Sequence, residues 1–237
     1  MMALESFEAL QAFRAFSALH AVTLVAIATL TGLAILVARI RGPSQRASPA
    51  ERLVGWAYLA AWVTTYSYFL FSPLHEPAKT LPLQLCHITA ALAALLLITR
   101  WQWLRPLVYF WGLALCTQAL VTPSLTEGPA LYPYWFFWST HGMIVGVALY
   151  EVFARRYRPA LRDYGVACAA AAAYFALVLP LDIAFGWNYG FVGPDKPEVR
   201  TIVDALGPWP LRLAPMVALV AAAMGLLLLP WQYKNRR

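Results

Sequence analysis

Charge is what this sequence has least of. Only 12% of its 237 residues are Asp, Glu, Lys or Arg, against about a quarter in ordinary soluble domains. So few charges cannot cover a water-facing surface, which excludes a soluble globular class. Cysteine is sparse too. Cys86, Cys116 and Cys168 are odd in number, lie inside apolar runs and show no CxxC-type spacing, so neither a disulfide framework nor a zinc site is expected. The apolar blocks lack two-residue alternation, which excludes the strands of a membrane β-barrel. Internal repeats are absent, and low complexity is confined to the alanines at 169–173. A cleavable signal peptide is not expected: the first apolar run is long enough to span and has no basic segment with a small-residue cleavage site.

What is present is apolar and continuous. Hydrophobic residues make up 61% of the chain, and mean hydropathy is +0.61. Runs at 18–38, 52–72, 81–99, 106–122, 133–154, 163–185 and 209–230 approach the roughly 20 helical residues needed to cross about 30 Å of hydrocarbon. Pro, Gly and charge fill the flanks between them. The expected fold is all-α: one polytopic domain over 1–237 with seven transmembrane helices. Residues 1–17 interleave Phe7, Leu10, Phe13 and Phe16 with Glu5, Glu8 and Arg14, the pattern of a helix lying on the membrane surface. Residues 186–208 form a long outer loop.

The net charge of +7 points to cytoplasmic loops rather than to nucleic acid. Thirteen of the eighteen basic residues follow runs one, three, five and seven, among them Arg39, Arg41, Arg100, Arg155 and Lys234. Seven spans with the N-terminus outside and the C-terminus cytoplasmic satisfy the positive-inside rule at every loop. A multi-pass protein of the inner, cytoplasmic membrane is expected.

Orientation turns position into depth, at about 1.5 Å per helical residue. Cys86 and His87 then lie roughly 8 Å below the outer end of span three, and His141 roughly 12 Å below that of span five. His20, Thr64, Thr65, Tyr66, Tyr68, Thr117, Gln118 and Asp182 also fall in the outer half, whereas the inner halves are nearly all Leu, Ala, Val and Ile. Polar groups at such depth are costly and face a cavity or a partner. The bland alternatives differ by residue. Tyr132, Tyr134, Trp135 and Trp138 read as interfacial anchors. Thr64 and Thr65 can bond their own helix carbonyls, and Cys116 and Cys168 read as packed hydrophobes. Gly142 and Gly146 make one side of span five slim enough for a neighbour or a ligand. A purely structural polar network also accounts for the layer.

A thiol plus an imidazole able to take its proton is the minimal pair for acyl transfer. His87 follows Cys86 by about 100° around the helix and points elsewhere. Cys86 is therefore assigned as nucleophile and His141, on another helix, as general base and acid. Asp182 or Gln118 would orient a histidine or stabilise an oxyanion, and His87 would be a supporting or substrate-contacting residue. Gln84 adjoins the thiol. His20 stays ambiguous between a site residue and an interfacial one. Asn188 and Tyr189, in the outer loop, would cover the site and contact headgroups. No cofactor or bound metal is expected.

The segments LPLQLC (81–86), YFWGLALCTQALVTPSL (109–125), HG (141–142), NYGF (188–191) and LGPWP (206–210) resemble the YwaF-type integral membrane family, related to the transmembrane protein 164 phospholipid acyltransferase. The resemblance covers Leu81 to about Pro210. It implies an enzyme that moves a fatty acyl chain between glycerophospholipids through an acyl-enzyme, with Cys86-His87 and His141 at the matching cysteine and histidine positions. Membrane phospholipid of the outer leaflet is then the expected substrate, by transfer or by hydrolysis. Two alternatives stand beside it: a carrier or receptor for a small polar solute, and a metal site built from His20, His87, His141 and Asp182.

Overall fold

The computed structural model describes residues 11–42, 46–73, 75–194 and 202–234. Among these, helices occupy all seven apolar runs: α1 (Ala18–Arg41), α2 (Pro49–Phe71), α3 (Leu85–Thr99), α4 (Leu104–Val121), α5 (Tyr132–Phe153), α6 (Leu161–Phe185) and α7 (Leu213–Lys234). No strand forms among the described residues; Ala12 and Glu127 make one isolated bridge. Six of the helices are long and apolar enough to cross a membrane, α3 counting from Pro77. The exception is α2. It has the length, at 23 residues, but Trp56, Tyr58, Trp62, Thr64, Thr65, Tyr66 and Tyr68 dilute its hydropathy.

Local chemistry sets the ends. Ser48 caps α2, its Oγ accepting from the Glu51 amide at 3.2 Å while Glu51 Oε2 accepts from the Ser48 amide at 2.6 Å; Pro49 follows at the first helical position. α3 stops at Arg100, which adopts the left-handed conformation. α6 stops at Gly186, with φ +68°, where a side chain would be strained.

The core belongs to α3, α4 and α5. In the most apolar stretch of α4, 56% of residues are buried, against none in α1. The outer helices therefore offer lipid a surface of Val22, Leu30, Leu36, Leu226 and similar exposed side chains. Small residues bring the inner helices close: Ala90, Ala93 and Ala94 of α3 are fully buried. A Cβ at Gly55 of α2 would sit 2.8 Å from the Ala94 carbonyl oxygen. The slim side of α5 meets α1, with Gly142 against Ile27 and Gly146 against Thr31.

Three departures from the sequence reading matter. First, α4 widens into a π-helical segment at Trp111–Cys116, a form that concentrates at functional sites. Second, Tyr134 and Trp138 are core residues rather than interfacial anchors. They pack around Phe13, which is itself buried. Phe13 belongs to a non-helical segment, 12–17, and backbone hydrogen bonds tie Phe13 and Gln11 to 126–128; residues 1–10 of the expected surface helix fall outside the described residues. Third, the arginine-rich end holds a buried ion cluster. Glu151 pairs with Arg100 at 2.5 Å and with Arg105 at 2.8 Å, and Glu51 pairs with Arg155. Several arginines on which the expected orientation rests thus also bolt α2, α3 and α5 together.

Candidate functional site

The head of span three is not helical. Pro77–Thr80 forms one turn, residues 81–84 are unwound, and α3 begins at Leu85. Cys86 is therefore the second residue of a fifteen-residue helix. Gln84 occupies the N-cap position without capping; its Oε1 accepts instead from the Gly190 amide at 3.1 Å. The Gln84 carbonyl receives the amides of His87 and Ile88. Amides of the first turn have no helical acceptor, so those of Leu85 and Cys86 have no partner within the helix. The positive end of a helix dipole favours an anion there.

Outer-loop residues hold this head in place. Tyr189 is fully buried; its hydroxyl donates to the Pro77 carbonyl and accepts from the Leu81 amide at 3.2 Å. Burial pushes that hydroxyl's pKa up to about 12, so it stays a donor at neutral pH. Asp182, wholly buried, accepts the Tyr189 amide at 3.1 Å through Oδ1. The carboxylate thus serves the turn at 188–191 and not an imidazole. Gly190 has φ +62° and lies against Tyr174. Asn188 takes the Gly193 amide at 3.1 Å, and Arg212 donates to the Gly193 carbonyl at 2.7 Å. The charged stretch Asp195 to Arg200 lies outside the described residues.

Across from the α3 head stand α2 and α5. Cys86 packs against the cluster formed by Tyr58, Ala90, Ala94, Cys116 and Ile144. Tyr58 reaches the Thr140 hydroxyl at 3.0 Å, one residue before His141. The His141 imidazole is buried. Its Nδ1 lies 2.8 Å from the Phe137 carbonyl oxygen; a carbonyl only accepts, so Nδ1 carries the proton and Nε2 the lone pair. His87 sits between Tyr66 and Phe136, at ring distances of 5.4 and 5.9 Å, within electrostatic range of His141. Its Nδ1 and the Tyr66 hydroxyl are buried without a hydrogen-bond partner. Each such orphan costs about 1–3 kcal/mol, which marks both as groups open to a ligand. Cys86 and His141 border the same layer; no hydrogen bond joins them among the described residues.

The other candidates go elsewhere. His20 uses both nitrogens, Nδ1 accepting from the Phe16 amide at 2.9 Å and Nε2 donating to the Leu120 carbonyl at 2.8 Å. Gln118 is exposed beyond the π-helical segment. With His20 and Asp182 so engaged, the four groups of the metal alternative do not converge: no trio of His, Cys, Asp or Glu suited to a metal occurs among the described residues. Thr65 bonds the Ala61 carbonyl of its own helix at 2.7 Å, and also Tyr132. Tyr58 is the residue that sequence reasoning passed over, and Tyr66, placed in the outer-half layer, was given no role there. A tyrosine looks like an interfacial anchor unless its helix is known to pack inward.

Fold and site together define a polytopic helical membrane protein with a thiol and two imidazoles in a buried polar layer. The particular lineage follows from comparison with known families: the chain belongs to the TMEM164 family, whose model matches residues 15–228. No curated protein and no solved structure matches it.

Proposed function

We propose that this chain is a membrane-embedded phospholipid acyltransferase working through a thioester on Cys86. In this reading all seven helices span the inner membrane, with the N-terminus outside and the C-terminus in the cytoplasm. The observation that carries it is the fixed tautomer of His141, a neutral base with a free Nε2, in the layer that also holds Cys86 at a helix N-terminus. Family membership supports it.

The chemistry balances as follows. His141 Nε2 takes the thiol proton, and the sulfur attacks an acyl ester carbonyl of a glycerophospholipid. The first-turn amides of Leu85 and Cys86 receive the oxyanion. As the S–C bond forms and the ester C–O bond breaks, the imidazolium returns its proton to the departing lysophospholipid oxygen. A second lysophospholipid hydroxyl, deprotonated by the same imidazole, then attacks the thioester and restores the thiol. Water in that second step would give hydrolysis. Sulfur and Nε2 must come into hydrogen-bonding reach during the first step; catalytic contacts of this kind commonly tighten when substrate binds.

The test uses purified protein in vesicles carrying a labelled phospholipid and an unlabelled lysophospholipid. Cys86→Ala and His141→Ala are both expected to abolish transfer, and a hydroxylamine-sensitive acyl label is expected on the parent protein and not on Cys86→Ala. Normal transfer by Cys86→Ala overturns the proposal. A carrier for a small polar solute would use the same unpartnered Tyr66 and His87, and solute uptake unaffected by Cys86→Ser would favour it.

A further inference from the structure

A second feature lies on the opposite side of Tyr58. Helices α1, α2 and α5 enclose a groove of about 850 Å³, in the size range of ligand sites. Its walls are apolar: Ile27, Leu30 and Ala34 from α1, Val54 and Ala57 from α2, with Gly142 and Gly146 as the floor on α5. Leu30 and Val54 are at least half exposed, so the groove opens sideways toward lipid. One end is basic and polar, formed by Arg41, Ser48 and the Arg155–Glu51 pair. The other end stops at Trp138, Ser139 and Tyr58.

Dimensions and charge name the occupant. From Ser139 to Arg155 the groove follows about 24 Å of helix, close to the depth of one leaflet with its headgroup zone, about 22 Å. Arg41 and Arg155 against Glu51 leave that end with net positive charge, and Arg39 and Arg52 flank it. Basic recesses between membrane helices suit anionic headgroups. We propose that this groove binds an anionic glycerophospholipid from the leaflet on the arginine-rich side. Its headgroup sits at Arg41 and Ser48, and one tail runs between α1 and α2 past Ala34, Ala57 and Ala61 to end against Tyr58. The site is distinct from the Cys86 chemistry and does not depend on it. Because Tyr58 bonds Thr140 on one side and packs against Cys86 on the other, the tail tip abuts the wall of the polar layer.

Native mass spectrometry of the delipidated full chain, titrated with phosphatidylglycerol or phosphatidylcholine of matched tails, tests this. The parent is expected to retain phosphatidylglycerol preferentially. Arg41→Gln changes an exposed side chain and is expected to weaken phosphatidylglycerol binding about fivefold while leaving phosphatidylcholine unchanged. Ala57→Trp, also on an exposed position, fills the groove and is expected to lower both. Equal retention of the two lipids by the parent, an unchanged preference in Arg41→Gln, or undiminished binding to Ala57→Trp each overturns the proposal. Unaltered melting of the variants shows that they fold.

Discussion

Glu151 offers the sharpest test of what holds the helices together. Its side chain is 2% exposed, 2.5 Å from Arg100 Nη1 and 2.8 Å from Arg105 Nε. Glu151→Gln keeps the volume and one acceptor but takes the counter-charge from Arg105 and leaves the buried Arg100 with only the more distant Glu51 Oε1, 3.8 Å from its Nη1. Removing one partner of a buried pair costs about 3–5 kcal/mol. At roughly 2–4 °C per kcal/mol for a chain of this size, the melting temperature in detergent is expected to fall by at least about 6 °C. The exposed pair Lys79–Glu76, 3.5 Å apart with both side chains more than half exposed, is the control. Such a pair is worth about 0–1 kcal/mol, so Glu76→Gln should be nearly silent. The double variant Arg100→Met/Glu151→Met should melt above the sum of its single losses, because it removes both buried charges at once. A Glu151→Gln protein melting within about 2 °C of the parent, or no lower than Glu76→Gln, would refute the account of this cluster.

Other outcomes follow from the same geometry. Gln84→Ala leaves the Gly190 amide without its acceptor, which costs about 1–3 kcal/mol; limited proteolysis should then cut faster within 186–194, and acyl transfer should drop while Cys86 still takes a thiol probe. Gly55→Val places new carbons against the Ala94 carbonyl and Ile98 and should destabilise by about 1–3 kcal/mol, read as a lower melting temperature. Tyr189→Phe removes the hydroxyl that ties Pro77 to Leu81, and hydrogen exchange should quicken at the start of α3 and not at its end.

How much of this was legible in the sequence depends on which interactions fixed each part. The seven helices were, because each is a continuous apolar run whose boundaries carry proline, glycine or charge. Gly142 and Gly146 also read correctly as an approach surface, since a missing Cβ has the same meaning wherever the helix packs. The ion cluster did not. Glu51 and Glu151 stand at run ends, where a carboxylate looks like a solvated flank, and only the crossing of α2, α3 and α5 brings them against Arg100, Arg105 and Arg155. Asp182 shows the same limit. Its depth signalled a partner, and the partner is the backbone of a loop seven residues on, a hydrogen bond that no side-chain pattern announces. The unwound head of α3 lies between these cases. The run at 81–99 located the span, but its late helical start at Leu85 and the consequence for Cys86 came from Gln84 turning away to hold Gly190. The residue at the N-cap position serves the outer loop, and the first-turn amides are left uncapped at the helix end that carries Cys86. The loop and the head of α3 are thereby coupled through Gln84 and Tyr189, so whatever moves the 188–191 turn also moves the electrostatic surroundings of Cys86.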